Sequence, residues 1–229
     1  MQPDPANTLP FSRQRDPMKF FHEVRGCSLA VDIVARELGV PLEVIWVDVP
    51  RKLLPDGSDY YKVNPKGQVP ALELRNGEYL TEGAVIMQYL ADMRPDSNLC
   101  AAPGSLQRYR IMEWMSFIAS DLHKGGFMPL FKKTTPPDYR PLARQLVLSR
   151  MKLLDGHLAD RDYLTGSVFT IADAHCYAIA MWTHYHDIDL APWPNLAAYL
   201  DRIGTRASVQ AAKAAERAEA KRQGYEGKV

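Results

Sequence analysis

Cys27 stands in Arg25-Gly26-Cys27-Ser28, where a short apolar run has ended and a helical period begins. A thiol at a helix N-terminus meets the positive end of the dipole, and Arg25 adds charge beside it. Both favour the thiolate, the form that attacks disulfides and electrophiles. Elsewhere in a chain, cysteine is more often a small buried hydrophobe. A second place is Val69-Pro70, which opens a short apolar segment. Proline brings no N–H to a strand ladder, so Pro70 belongs at a strand end or in a special turn. If the bond is cis, the N–H and C=O of Val69 face outward, free to pair with an extended peptide. Only about 5% of X–Pro bonds in folded proteins are cis, so composition alone does not favour it. The third place is Thr81-Glu82-Gly83 at a helix start. Unpaired N–H groups there can hold a carboxylate, and the Glu82 side chain can take an ammonium beside it. Together they suit an amino-acid terminus. Alone, Glu82 only favours its own helix.

Other candidates are weaker. Lys52 follows the second strand in Arg51-Lys52-Leu53, where a loop lysine is ordinarily just solvated. His123, in His123-Lys124, is either a donor or base, or a cation complementing a helix C-terminus. His184, His186, Asp187 and Asp189 invite a metal. Histidines two apart on a helix do not share a face, and no Cys or Glu completes a ligand set, so no metal is expected.

These residues need elements to position them. Met18 to Phe21 reads as a strand, His22 to Gly26 as a loop, and Cys27 to Leu38 as a helix with Ile33, Val34 and Leu38 inward. Gly39 ends that helix at the C′ position. Pro41 to Val49 gives a second strand, so the crossover is parallel and right-handed. Asp56-Gly57 marks a turn and Tyr60 to Val63 a helical turn. Leu72 and Leu74 alternate onto one face of a third strand. Asn76-Gly77 predicts a tight hairpin with positive φ at both residues. After Glu82, the residues Val85, Ile86, Tyr89, Leu90 and Met93 recur at helical spacing. This order gives an α/β N-terminal thioredoxin-like domain over 18–94, preceded by a loose extension over 1–17. Residues 95–104, PDSNLCAAPG, form a linker, with Cys100 placed for exposure. Residues 105–229 are an all-α C-terminal domain. There Ser105 caps a helix to about Leu122 with Met112, Met115, Ile118 and Leu122 inward. Another helix covers about Tyr139 to Leu158. Thr170 and Asp173 form a capping box, Cys176 is core, a last helix covers about Leu196 to Ile203, and the tail from Ala211 is a solvated, fraying helix.

The chain has 229 residues, a net charge of +1 and 46% hydrophobic residues. That is enough for a proper core. The balanced charge argues against a nucleic-acid or membrane-surface partner, and no apolar run reaches membrane-spanning length. Three widely spaced cysteines make no disulfide framework and fit a reducing compartment. There is no apolar leader core in the first residues.

NPKGQVPAL followed by LTEGAVIMQYLAD closely resembles the glutathione-binding half of cytosolic glutathione transferases. The Cys-Ser pair at the start of the first helix resembles the bacterial beta class. The resemblance implies a glutathione transferase fold, with a cis proline at Pro70. It implies that Val69 pairs with the cysteinyl backbone of glutathione, that Glu82 and Gly83 hold the γ-glutamyl end, and that Lys52 reaches the glycyl carboxylate. Cys27 is then placed against the glutathione sulfur, able to form a mixed disulfide with it, and His123 lies nearby. Phe127 to Pro137 lines the pocket of a small hydrophobic electrophile. Glutathione is co-substrate and no cofactor is implied. A cytoplasmic homodimer is expected.

The sequence also departs from that class. Phe21-His22-Glu23-Val24-Arg25-Gly26 stands where beta-class members often have Tyr-Ser-Pro-Gly-Ala, so no tyrosine is placed to activate the thiol; His22 is nearest, and Ser28 is a donor or a cap. Ser116 stands where an Asn often contacts glutathione. Three functions remain open: conjugation of glutathione to electrophiles, glutathione-dependent disulfide reduction through Cys27, and non-catalytic ligand binding.

Overall fold

A computed structural model describes residues 17–225; the loose extension expected over 1–17 lies outside them except for Pro17. Four strands form one sheet in the order β2-β1-β3-β4. β1 (Met18–His22) pairs parallel with β2 (Leu42–Trp46), and the intervening α1 (Leu29–Glu37) is the crossover. β3 (Ala71–Glu73) runs antiparallel to β1 and to β4 (Tyr79–Thr81), and α2 (Gly83–Asp92) follows. This is the expected thioredoxin-like order.

Alternation along β1 sends neighbouring aromatics to opposite faces. Phe20 joins a large core with α1 and α2, whereas Phe21 meets Val47, Tyr60, Val63 and Ala71 on the other face. The β3–β4 turn differs from the expected two-residue form. Gly77 has φ +84° but Asn76 is not in the left-handed region, and Gly77 N–H donates to the Leu74 carbonyl. The loop is therefore a turn through Arg75 and Asn76 closed by a left-handed glycine, the common three-residue hairpin. The Asn76 side chain accepts from Glu78 N–H, which fixes it.

Helices make up the rest: α3 (Leu106–Phe117), α4 (Met128–Phe131), α5 (Tyr139–His157), α6 (Ile171–Ala180), α7 (Pro194–Gly204) and α8 (Ala207–Arg222). Ser105 caps α3 by accepting from Arg108 N–H at 3.2 Å. Met112 faces outward, because the buried row on α3 runs Arg108, Ile111, Met115 and continues into Ile118 beyond its end. Between α3 and α4 the chain widens into a π-helix over Ile118–Phe127. α6 is buried along its whole length. Its capping box is present, and Asp173 also accepts from Leu164 N–H and Tyr199 Oη.

The large core runs without interruption from the sheet into the helices. α1 packs on α6 and α8, and α2 on α6. Arg108 on α3, nearly buried, forks onto Asp92 of α2 at 2.8 and 3.1 Å. Cys100 is buried at this junction rather than exposed. α8 also differs from expectation. Val209, Ala212, Glu216, Glu219 and Ala220 are buried. Small alanines let α8 approach α1 closely, so a helix of polar composition is held rather than frayed.

Candidate active site

The turn that carries Cys27 is clamped from the helical side. Arg25 has φ +65°, a region non-glycine residues seldom adopt. Its N–H donates to Glu216 of α8 at 3.2 Å, and its carbonyl accepts from Trp182 Nε1 at 3.2 Å. Its guanidinium lies 3.8 Å from the centre of the Tyr185 ring and donates to Tyr225 Oη at 2.8 Å. The Arg25 charge is thus spent on two tyrosines, and it does not serve the thiol as expected.

Cys27 is half-buried, in the turn that leads into α1. Its thiol donates to the Val69 carbonyl at 3.5 Å. Burial pushes the thiol up to about 12, Lys124 opposes that, and Glu23 adds to it. Dehydration therefore outweighs the helix dipole, and in the ligand-free protein Cys27 is a thiol rather than the expected thiolate. Ser28 does not cap α1 and is fully buried. Its hydroxyl lies 2.6 Å from His22 Nδ1, and Glu23 N–H donates to the same pair. His22 Nε2 sits 3.7 Å from Glu216 Oε1. His22 is wholly buried and pushed down to about 3 by that burial, with Arg36 adding to it, so it is a neutral brace of the turn.

The Val69–Pro70 peptide is cis. The segment before it is held by Tyr60 Oη and Asn64 Nδ2, which both donate to the Gln68 carbonyl, at 2.8 and 2.6 Å. Gly67 has φ +59°, in the left-handed region that favours glycine, and a Cβ there would press on the exposed Tyr61 ring at 2.7 Å. Lys52 Nζ donates to the Gly67 carbonyl. Glu82 has φ +70° and precedes α2. The first N–H groups to bond back into α2 are those of Val85 and Ile86, both to the Glu82 carbonyl. Lys66 Nζ donates to both Thr81 Oγ1 and Glu82 Oε1.

The π-helix brings His123 and Lys124 across from the helical side. His123 is buried, its ring edge-on to Trp182 with centroids 5.0 Å apart. Burial, with Lys124 adding to it, lowers it to about 3. It is a neutral imidazole, not a cation answering a helix dipole. Lys124 Nζ donates to Gln68 Oε1 at 3.1 Å.

Two adjoining cavities result. The smaller, about 110 Å³, is lined by Cys27, Val69, Pro70, Glu82, Gly83 and His123, with Lys124 and His175. The larger, about 480 Å³, shares Cys27, Val69, His123 and Lys124, and adds Lys52 at one edge and Met128, Phe131 and Trp182 on its apolar wall. Cys27, Lys52, Val69, Pro70, Glu82, Gly83 and His123, the seven residues that the resemblance assigns to the glutathione site, therefore line one or both cavities, whereas His22, Ser28 and Ser116 line neither. The Phe127–Pro137 segment reaches the larger one through Met128, Phe131 and Lys132. Trp114 instead lines a separate groove of about 460 Å³ between α3 and α5, which holds none of the seven.

Sequence reasoning missed Lys66, Gln68, His175, Trp182 and Tyr225. Only Gln68 and Lys66 carried a signal, through their place in the NPKGQVP motif. Among the described residues no group of three or more His, Cys, Asp or Glu could hold a metal ion, and no helix is long and apolar enough to cross a membrane.

A thioredoxin-like sheet with a cysteine, a cis proline and a helix N-terminus around one cleft, closed by a helical domain, defines a two-domain protein of the thioredoxin-like class. The comparisons with known proteins narrow this. The family model described as glutathione S-transferase, N-terminal domain, matches residues 26–93, and that of the C-terminal domain matches 118–207. Glutathione S-transferase GstA of Escherichia coli O157:H7 is 43% identical over 199 residues, covering 87% of this chain and 98% of that one. A sphingomonad glutathione S-transferase solved in complex with glutathione is 41% identical, with a TM-score of 0.83 over 86% of this chain and 98% of that one. The bacterial beta-class enzyme of Sphingomonas chungbukensis is 39% identical, with a TM-score of 0.84 over the same shares. The chain belongs to the glutathione S-transferase family. It is a transferase that uses glutathione as co-substrate, and it is similar to the bacterial beta class.

Proposed function

We propose that glutathione lies along the smaller cavity with its sulfur at Cys27, and that a small apolar electrophile meets it from the larger one. The observation that carries this reading is that the two cavities adjoin and share Cys27, Val69, His123 and Lys124 on their rims. Val69 pairs with the cysteinyl backbone. The α2 N-terminus at Gly83 holds the γ-glutamyl carboxylate, as helix N-termini hold anions, while Glu82 takes the ammonium in place of Lys66. Lys52 takes the glycyl carboxylate, and Pro70 shapes the cleft floor.

In this reading the thiol loses its proton to solvent, and the thiolate forms a C–S bond to the electrophilic carbon. The leaving group departs with its electron pair. Positioning and lowering of the thiol pKa are the protein's contribution. Lys124 supplies positive charge at the rim, and neutral His123 supplies an N–H. Cys27, held as a thiol, can donate to the glutathione sulfur. Met128, Phe131 and Trp182 take the apolar body of the electrophile. The protein works as a cytoplasmic homodimer.

The position of Cys27 favours one second reading, disulfide reduction. There the Cys27 thiolate attacks the glutathionyl sulfur of a glutathione–substrate mixed disulfide, that S–S bond breaks and the substrate leaves as its thiol; a second glutathione then attacks the Cys27–glutathione disulfide, giving glutathione disulfide and the free Cys27 thiol. Turnover of a chloronitrobenzene with glutathione, retained in Cys27→Ala, supports conjugation. Turnover only of hydroxyethyl disulfide, abolished in Cys27→Ala, supports reduction instead. Glutathione binding with neither activity overturns both.

A further inference from the structure

α6 is buried throughout and mostly apolar or small, with Ala172, Ala174, Cys176, Ala178 and Ile179; its carboxylate, Asp173, is satisfied by Leu164, Thr170 and Tyr199. His175 breaks that pattern. Its side chain lines the smaller cavity with Cys27, Val69, Glu82, His123 and Lys124. The residue is only 4% exposed, and its Nδ1 has no hydrogen-bond partner among the described residues. Buried polar side chains are normally satisfied, and an imidazole without a hydrogen bond at Nδ1, on a residue that lines a ligand cavity, has bonding capacity that the protein does not use.

We infer that His175 is a second neutral hydrogen-bond donor to the sulfur of bound glutathione, acting beside His123. The inference rests on the placement of glutathione in the smaller cavity. A neutral imidazole carries one N–H and one bare nitrogen. Burial pushes His175 down to about 4, so it stays neutral throughout the physiological range. His175 bears electrostatically on His123, the buried carboxyl of Asp173 lies two residues away on α6, and Cys27, Glu82 and Lys124 face the same space. A neutral imidazole N–H on the cavity wall favours a thiolate over a thiol without placing a buried cation there. No proton passes to His175; the thiol proton leaves to solvent through the larger cavity.

The test uses the full chain and three proteins: wild type, His175→Leu and His175→Asn. Asn keeps a neutral side chain with an N–H donor at this position. The thiolate absorbance of bound glutathione is titrated with pH, and the affinity for S-methylglutathione, which has no ionisable thiol, is measured alongside. The expected result is about tenfold less thiolate at neutral pH in His175→Leu, equal to a rise of one unit in the thiol pKa. In Asn at least half of that rise is recovered, and S-methylglutathione affinity stays within about twofold in both. The turnover lost by His175→Leu at neutral pH returns as pH is raised. An unchanged thiol pKa in His175→Leu overturns the inference. So does a loss of S-methylglutathione binding equal to the loss of glutathione binding, because that marks a packing role. If wild type binds neither compound, the placement of glutathione itself fails, a separate outcome.

Discussion

The Cys27 thiol donates to the Val69 carbonyl at 3.5 Å, so the turn before α1 and the residue before the cis proline meet at one point. Burial keeps that thiol protonated, at about 12 against an ordinary 9.0. Alkylation of Cys27 by iodoacetamide in the ligand-free protein should therefore keep accelerating as pH rises through 9, with no plateau there. Lys124→Met removes the one lysine that opposes burial and should slow the reaction further. Rates by mass spectrometry of the Cys27 peptide decide it. A plateau near pH 9 shows an ordinary solvated thiol.

Lys66 and Glu82 form an exposed pair, and Glu82 lines the smaller cavity. If Glu82 receives the ammonium of glutathione, Lys66 competes with it. Glu82→Gln should weaken glutathione binding about tenfold, the low end for a hydrogen bond to a charged group, since the site is half solvated. Lys66→Met should leave binding unchanged or tighten it a few-fold. Calorimetric titration separates the two. Equal weakening by both variants would mean that Lys66 holds the peptide and Glu82 only holds Lys66.

Glu216 on α8 is nearly buried, accepts from Arg25 N–H, and is pushed up to about 8 by that burial. A carboxyl raised in the folded state contributes stability below its unfolded pKa and loses it as pH rises through the folded one. The window here runs from about 4.5 to about 8. Glu216→Gln keeps an acceptor but has no titration. Its stability relative to wild type should rise across that window by about 1.4 kcal/mol per pH unit. Urea midpoints at several pH values measure this. A difference flat with pH contradicts the buried-carboxyl account.

Arg108 and Asp92 join α3 to α2 through a forked pair, 2.8 Å at the shorter arm. Arg108→Met leaves Asp92 beside Gln88 with no cation. The cost should be about 2–3 kcal/mol, below the range for fully buried pairs because the Asp92 side chain is a third exposed. The melting temperature should fall by about 5–10 °C. Glutathione affinity of the folded fraction should hold, since neither residue lines either cavity. An unchanged melting temperature shows that the pair adds nothing.

The sequence made the sheet order legible, because Pro70, the Asn76-Gly77 turn and the Gly39 helix stop are each local signals of backbone conformation. Cys27, Val69 and Glu82 were legible as a site for the same reason: each sits at an element end. What was not legible depends on distance in the chain. Arg25 looked free to assist the thiol until Tyr185, Tyr225 and Glu216 were brought around it from the far end of the sequence. The thiol pKa followed burial, which no local pattern around Cys27 encodes. The π-helix that delivers His123 and Lys124 has the same apolar spacing as an ordinary helix over its first turns. α8 looked solvated because buried carboxylates read as polar composition.

The most direct test of the central claim is peptide-mapped mass spectrometry of the protein equilibrated with a mixture of reduced and oxidised glutathione. At equilibrium a raised thiol pKa slows the reaction but does not prevent it. The account predicts a glutathione adduct on Cys27, with Cys100 and Cys176, both buried, unmodified. An adduct on Cys100 with none on Cys27 would contradict it and move glutathione away from the start of α1.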